Sequence, residues 1–163
     1  MGGRTQARAE RTRMRVDSKR SWFRIENKSS GTDVYLYGEI GCYGVTASDF
    51  SEELRNVNAS TINLHINSPG GEVFDGVAIY NALKSHPATI NVTVDGIAAS
   101  AASFIACAGD HVTVMRHAQM MIHEASSGAY GNSNDLSKQA DLLDRLSATI
   151  ADIYTQRAGD TPT

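Results

Sequence analysis

Cysteine is scarce in this chain. The two present, Cys42 and Cys107, stand apart from each other and from any CxxC or Cys/His cluster. That argues against a zinc site and against a disulfide scaffold, and it fits a reducing, cytoplasmic setting. Long apolar runs are missing too. None reaches the roughly 20 residues that span a bilayer, so no membrane partner is expected. The N-terminus is basic but has no apolar core segment, so it does not read as a secretory signal. There are no internal repeats. A phosphate loop is also missing: the glycines of "NSPGG" are followed by no Lys-Ser/Thr pair, and the GxGxxG spacing does not occur. No metal and no cofactor is expected. What remains is 163 residues, enough for one domain with a core that needs no staples.

The net charge of -3 conceals an asymmetry. Residues 1–28 hold nine Lys/Arg against three Asp/Glu, and residues 29–163 hold six against fifteen. The first segment has almost no large apolar residue before Trp22 and Phe23. It reads as a disordered basic arm, 1–28, ahead of an acidic globular domain, 29–163. Such an arm suits nucleic acid, an acidic partner or its own domain, and it reads equally well as a solvated tail.

Beyond the arm, strand and helix signals alternate. "VYLYG" (34–38) predicts a strand, and "TASDFSEELRNV" a short helix capped by Thr46 or Ser48. "TINLHI" (61–66) is a β-branched, alternating strand that runs into "NSPGG". In "EVFDGVAIYNALKSH" the residues Gly76, Ile79, Tyr80 and Leu83 share one helical face, and Pro87 ends the helix. "TINVTVDG" predicts a strand, the alanine-rich segment after it a helix, and "HVTVM" and "QMMIH" two more strands. Asn134 to Arg157 predicts a long amphipathic helix with a stripe of Leu136, Ala140, Leu143, Leu146, Ile150 and Ile153, stopped by Gly159. The pattern implies an α/β fold.

Three strand ends could carry chemistry. "VTVDGIAAS" passes through Gly96 into a helix beginning near Ser100, where unpaired N–H groups and a positive dipole end are available. A serine nucleophile there would have an oxyanion donor in the next residue. The plain alternative is that Ser100 is a helix cap, or that Ser100 and Ser103 line a tight helix contact. "INSPGG" exposes backbone N–H groups at a second helix start and allows unusual dihedrals; its plain alternative is a tight turn. "MMIHEA" ends what reads as a buried strand, Met120 to Ile122, in His123, whereas His65, His86, His111 and His117 have no obvious partner. A serine hydrolase needs nucleophile, base and oxyanion hole together, and the three places supply those parts.

"INSPGG", "GIAASAASFIACAG" and "MMIH", in this order and spacing, closely resemble the proteolytic subunit of the Clp protease (ClpP) over roughly residues 34–159. The resemblance implies the ClpP/crotonase-like fold, with repeated β-β-α units and a long handle helix. It implies a serine endopeptidase with Ser100 as nucleophile, His123 as general base, and Gly70 and the N–H of Ala101 as oxyanion donors. Gly71, Glu72 and Val73 on one side, and Glu124, Ala125 and Ser126 on the other, fall where the family pairs a peptide substrate as an added strand. The helix from Asn134 to Arg157 matches the handle through which family rings stack, so a homo-oligomer is implied, with heptameric rings the default.

The family's third triad member is an aspartate. Register puts it about ten residues past Gly159, beyond Thr163, so the domain reads as cut short at its C-terminus. Asp152 and Asp160 do not match that position. Losing a triad acid costs roughly four orders of magnitude in rate. The opening "RIEN…VYLYGEIG" and "GVTASDF" resemble the bacteriophage and prophage head-maturation branch. That branch implies capsid or scaffold protein as substrate, and a site in the bacterial host's cytoplasm or inside a procapsid. It also suits a basic arm that meets acidic protein or DNA.

Rival readings are an enoyl-CoA hydratase-like enzyme using Glu72 and Glu124, a Ser–Lys dyad using Lys138, and an assembly subunit with a weak or inactive site.

Overall fold

The computed structural model describes residues 21–42 and 44–159. The greater part of the expected arm, residues 1–20, lies outside the described residues, as does Asp160.

A single mixed sheet organises the chain. β1 (Phe23–Lys28) pairs antiparallel with β2 (Gly31–Tyr37), after which β2, β3 (Thr61–Ser68) and β4 (Thr89–Ala99) run parallel. β4 carries two further parallel strands on its other edge. β5 (His111–Val114) pairs with residues 91–94 and β6 (Gln119–Met121) with 97–99. The helices are α1 (Ala47–Arg55), α2 (Val73–Ser85), α3 (Ala101–Ala106) and α4 (Ser133–Ala158). The β-β-α unit thus occurs twice, as β1-β2-α1 and β5-β6-α4, with two single β-α units between them. The α/β architecture follows the expectation.

Alternation decides which sheet face is covered. Val34, Leu36, Ile62, Leu64, Ile66, Ile90, Val92 and Val94 are buried and share one core with Phe50 and Leu54 of α1, Ile79 and Leu83 of α2, and Phe104 and Ile105 of α3. Burying each such side chain contributes roughly 1.5–3 kcal/mol. The intervening positions form a polar face. There Tyr35 stacks on His65 at 5.0 Å between ring centres, and the Arg24 guanidinium lies 4.3 Å from the Tyr35 ring centre. His65 and the Tyr37 hydroxyl meet the Asp95 carboxylate at 3.1 and 2.7 Å. Burial, and then the bond to Asp95, push the Tyr37 hydroxyl up to about 12. Thr46 caps α1 in a reciprocal pair with Asp49, as its sequence signal indicates.

Three boundaries differ from the sequence expectation. The folded unit reaches back before residue 29, because β1 occupies 23–28 and Trp22 and Phe23 are buried. Both rings pack on Phe50, and the Trp22 indole N–H donates to Val45 O at 2.8 Å. Those two aromatic residues outweigh the charged run in front of them. Second, β4 runs on to Ala99, so the alanine-rich segment is strand before Ser100 and a short helix after it. Third, β6 is not buried: Met120, Met121 and Ile122 are 38, 45 and 59% exposed. Its three residues pair with β4 alone among the described strands. The α4 stripe is buried only at Ile150 and Ile153, while Leu136 stands 44% exposed.

Asp33 links β1, β2 and β3. Its carboxylate accepts from the Asn63 amide at 2.9 Å and pairs with Lys28. The Asn63 bond first, and the Lys28 bond next, hold the acid below its ordinary value. A lowered folded-state value means that the stabilisation is present above the unfolded value, about 3.9, and is lost as pH falls through the folded one. Urea midpoints of the parent and Asp33→Asn should therefore differ at pH 7 and converge as pH drops below about 4. A constant gap down to acid would refute the linkage.

Candidate active site

Ser100 joins β4 to α3 in a strained turn. Its backbone sits at φ 52°, ψ -124°, and among the described residues no other non-glycine has positive φ. Such a conformation costs about 1–3 kcal/mol and persists only where its surroundings enforce it. Small neighbours allow it: Ala98, Ala99, Ala101 and Ala102 are all buried. The Ser100 side chain makes no capping bond to α3, so the helix-cap alternative fails. The Ser100 N–H donates to Met121 O at 2.9 Å, which ties this residue to the strand that precedes His123.

Ser103 has a different environment. It is fully buried, and its hydroxyl meets Ser100 O at 2.5 Å and the Tyr154 hydroxyl at 2.6 Å. With its oxygen so engaged, Ser103 has no access to a substrate. The two serines, which the residue pattern left undivided and the resemblance decided for Ser100, are separated here by exposure and bonding.

The NSPGG turn rests directly on the Ser100 turn. A Cβ on Gly70 would come within 2.6 Å of Ala99 O and 2.7 Å of the Ser100 Cβ, and one on Gly71 within 2.1 Å of Ile40 O. Both glycines have positive φ, 96° and 147°. Ser68, fully buried, pins the turn: its hydroxyl donates to Gly38 O at 2.6 Å and accepts from the Gly70 N–H at 3.1 Å. The Gly70 N–H, expected as an oxyanion donor, is thus engaged by Ser68. The Gly71 N–H and the Ala101 N–H have no acceptor among the described residues.

His123 follows β6 and is exposed. Its Nδ1 lies 2.5 Å from Glu124 O. A carbonyl only accepts, so Nδ1 carries the proton and Nε2 is left as the basic nitrogen. Among the described residues no carboxylate bonds to His123, and the Asp152 carboxylate is engaged by Gln156 at 2.7 Å. The histidines expected to lack partners divide. His65 bonds to Asp95, and His86 bonds to Val57 O and the Ala88 N–H; His111 and His117 are exposed.

Ser100 and His123 line one cleft of 280 Å³ together with Gly71, Val73, Glu124, Ala125 and Ser126. Glu72 does not line it, because its side chain turns toward Gly41. Phe104, Met121, Ile150 and Tyr154 also line the cleft, and sequence reasoning did not find them as site residues. Ile150 and Tyr154 come from α4, far along the chain, and carry no local signal beyond an amphipathic stripe. The same helix holds the segment after His123, since Ser147 accepts the Ala125 N–H at 3.1 Å and Gln139 donates to Ser127 at 2.8 Å. Burial pushes the Cys107 thiol and the Tyr154 hydroxyl up, so both stay protonated at neutral pH. Among the described residues no group of acidic, His or Cys side chains could hold a metal.

Comparison with known proteins shows the family. The family model described as Clp protease matches residues 31–163. The chain is 39% identical over 98 residues to an ATP-dependent Clp protease proteolytic subunit of Pleurastrum terricola, covering 59% of this chain and 50% of that one. It is 37% identical over 97 residues to proteolytic subunit 1 of Synechococcus sp. (strain CC9902), covering 56 and 49%. With the proteolytic subunit of Chlorella vulgaris it shares 29% over 155 residues, 85 and 77%. The chain therefore spans about half the length of the first two of these relatives. With the family model matched over most of its length, this chain belongs to the Clp protease family.

Proposed function

We propose that this chain is a serine endopeptidase. The observation that carries the reading is the Ser100 turn: a strained serine, with its side chain unused by the helix it begins, shares a cleft with a histidine whose Nε2 is basic. A peptide bound between residues 71–73 and 124–126 would present its carbonyl to the Gly71 and Ala101 N–H groups. Ser100 attacks that carbonyl while His123 takes its proton, then returns the proton to the leaving amine. The acyl-enzyme is resolved by water, again with His123 as base. Each oxyanion donor is worth about 3 kcal/mol in the transition state. The Nδ1 bond to Glu124 O orients the imidazole in the absence of any bonded carboxylate among the described residues.

The phage branch supplies the finer reading. The "RIEN…VYLYGEIG" and "GVTASDF" segments support a head-maturation protease, acting in a bacterial host or procapsid on capsid or scaffold segments. A homo-oligomer assembled through α4 is supported by the exposed first half of that helix. The basic residues 1–28 would meet acidic protein or DNA. A second reading is an assembly subunit with a weak or inactive site, favoured by the lack of a carboxylate on His123 among the described residues.

A fluorophosphonate probe separates the two readings. Mass spectrometry should show one adduct on the parent and on Ser103→Ala, and none on Ser100→Ala. An unlabelled parent favours the assembly subunit. Ser68→Ala, which frees the Gly70 N–H and unpins its turn, should lower kcat for a peptide substrate about tenfold. Unchanged kcat would show that the turn holds its shape without Ser68.

A further inference from the structure

Ser103 is a buried polar group that the proposed chemistry leaves unused. Its hydroxyl touches two oxygens, the Ser100 carbonyl at 2.5 Å and the Tyr154 hydroxyl at 2.6 Å. A serine hydroxyl has one proton to give. The carbonyl can only accept, so the proton goes to Ser100 O, and Tyr154 must donate to Ser103. The direction of the chain of bonds is thereby fixed: Tyr154 O–H to Ser103 Oγ, and Ser103 O–H to Ser100 O. The Ser103 N–H donates to the same carbonyl at 2.9 Å.

That carbonyl is one end of a peptide unit whose other end is the Ala101 N–H. A trans peptide is planar and its N–H points opposite to its C=O. Whatever holds Ser100 O therefore aims the Ala101 N–H. The need for an anchor is real, because Ser100 sits at φ 52° and a strained residue relaxes unless its neighbours prevent it. We propose that Ser103 and Tyr154 are positioning residues that aim the Ala101 N–H into the cleft, so that α4 sets the geometry of an oxyanion donor on α3. This rests on the serine-peptidase reading. It also gives α4 two tasks at the site, since Ile150 and Tyr154 line the cleft that the donor serves.

The test uses the full chain with Tyr154→Phe, Ser103→Ala and the double variant. Tyr154→Phe removes only an oxygen, so packing is kept. Steady-state hydrolysis of a chromogenic peptide should show kcat lowered about tenfold for Tyr154→Phe, with KM within about twofold of the parent. Ser103→Ala should lower kcat further, and the double variant should match Ser103→Ala, because the Tyr154 bond acts only through Ser103. A parental kcat in Tyr154→Phe, a rise in KM alone, or additive losses would overturn the proposal. The second readout needs no activity: the Ala101 amide cross-peak in a ¹⁵N–¹H spectrum should move in Tyr154→Phe while amides of α1 stay in place. An unmoved Ala101 peak overturns the proposal. If the parent hydrolyses nothing, the peptidase reading fails, and the cross-peak still decides whether the bond chain sets this peptide unit.

Discussion

Two backbone turns meet at the centre of this molecule with almost no side chain between them. Gly70 lies so close to Ala99 O and Ser100 that even a methyl group would collide. Around that contact everything else is fitted. The alanines on either side of Ser100 let β4 pass into α3 beneath the turn. Ser68 takes up the Gly70 N–H, and the next one has no acceptor among the described residues. The isolated bridge between Ile40 and Gly71 holds the turn as well. A positive φ at Ser100 is tolerable because its surroundings are rigid and small, and it lifts the hydroxyl clear of the helix it begins.

The sheet supplies the platform for that contact. Its apolar face is buried by three helices, while its polar face is knit across strands by Asn63, His65, Asp33 and Asp95. β4 touches both the core and the site. Its first half pairs with β5 and its second half with β6, and the nucleophile sits one residue past its end. The strand thus brings residues from two separate loops to one place.

The fold was largely legible in the sequence because its signals are local. Alternation marked β2, β3 and β4, the Thr46 cap marked α1, and Pro87 marked the end of α2. Ser100 and His123 were legible as candidates from where strands end. The choice between Ser100 and Ser103 was not, apart from the family resemblance, because it rests on a bond to Tyr154 in another helix. Gly70 was named as a donor from the family resemblance, and the bond that occupies its N–H comes from Ser68, whose buried hydroxyl carries no sequence signal. The strand before residue 29 was hidden by the charge around it, although Trp22 and Phe23 were visible, and an exposed β6 was mistaken for a buried one because methionine and isoleucine usually seek the core.

The short β6 has a consequence for cohesion. Nucleophile and base stand on parts of unequal strength: Ser100 follows an 11-residue strand with partners on both edges, whereas His123 follows three residues paired on one edge only. Local opening of a protein begins where pairing is thinnest and apolar cover is least. Thermal fraying would peel the histidine from the site while the serine turn stayed intact. The site would then come apart and re-form as a hinged pair, one jaw fixed and the other loose.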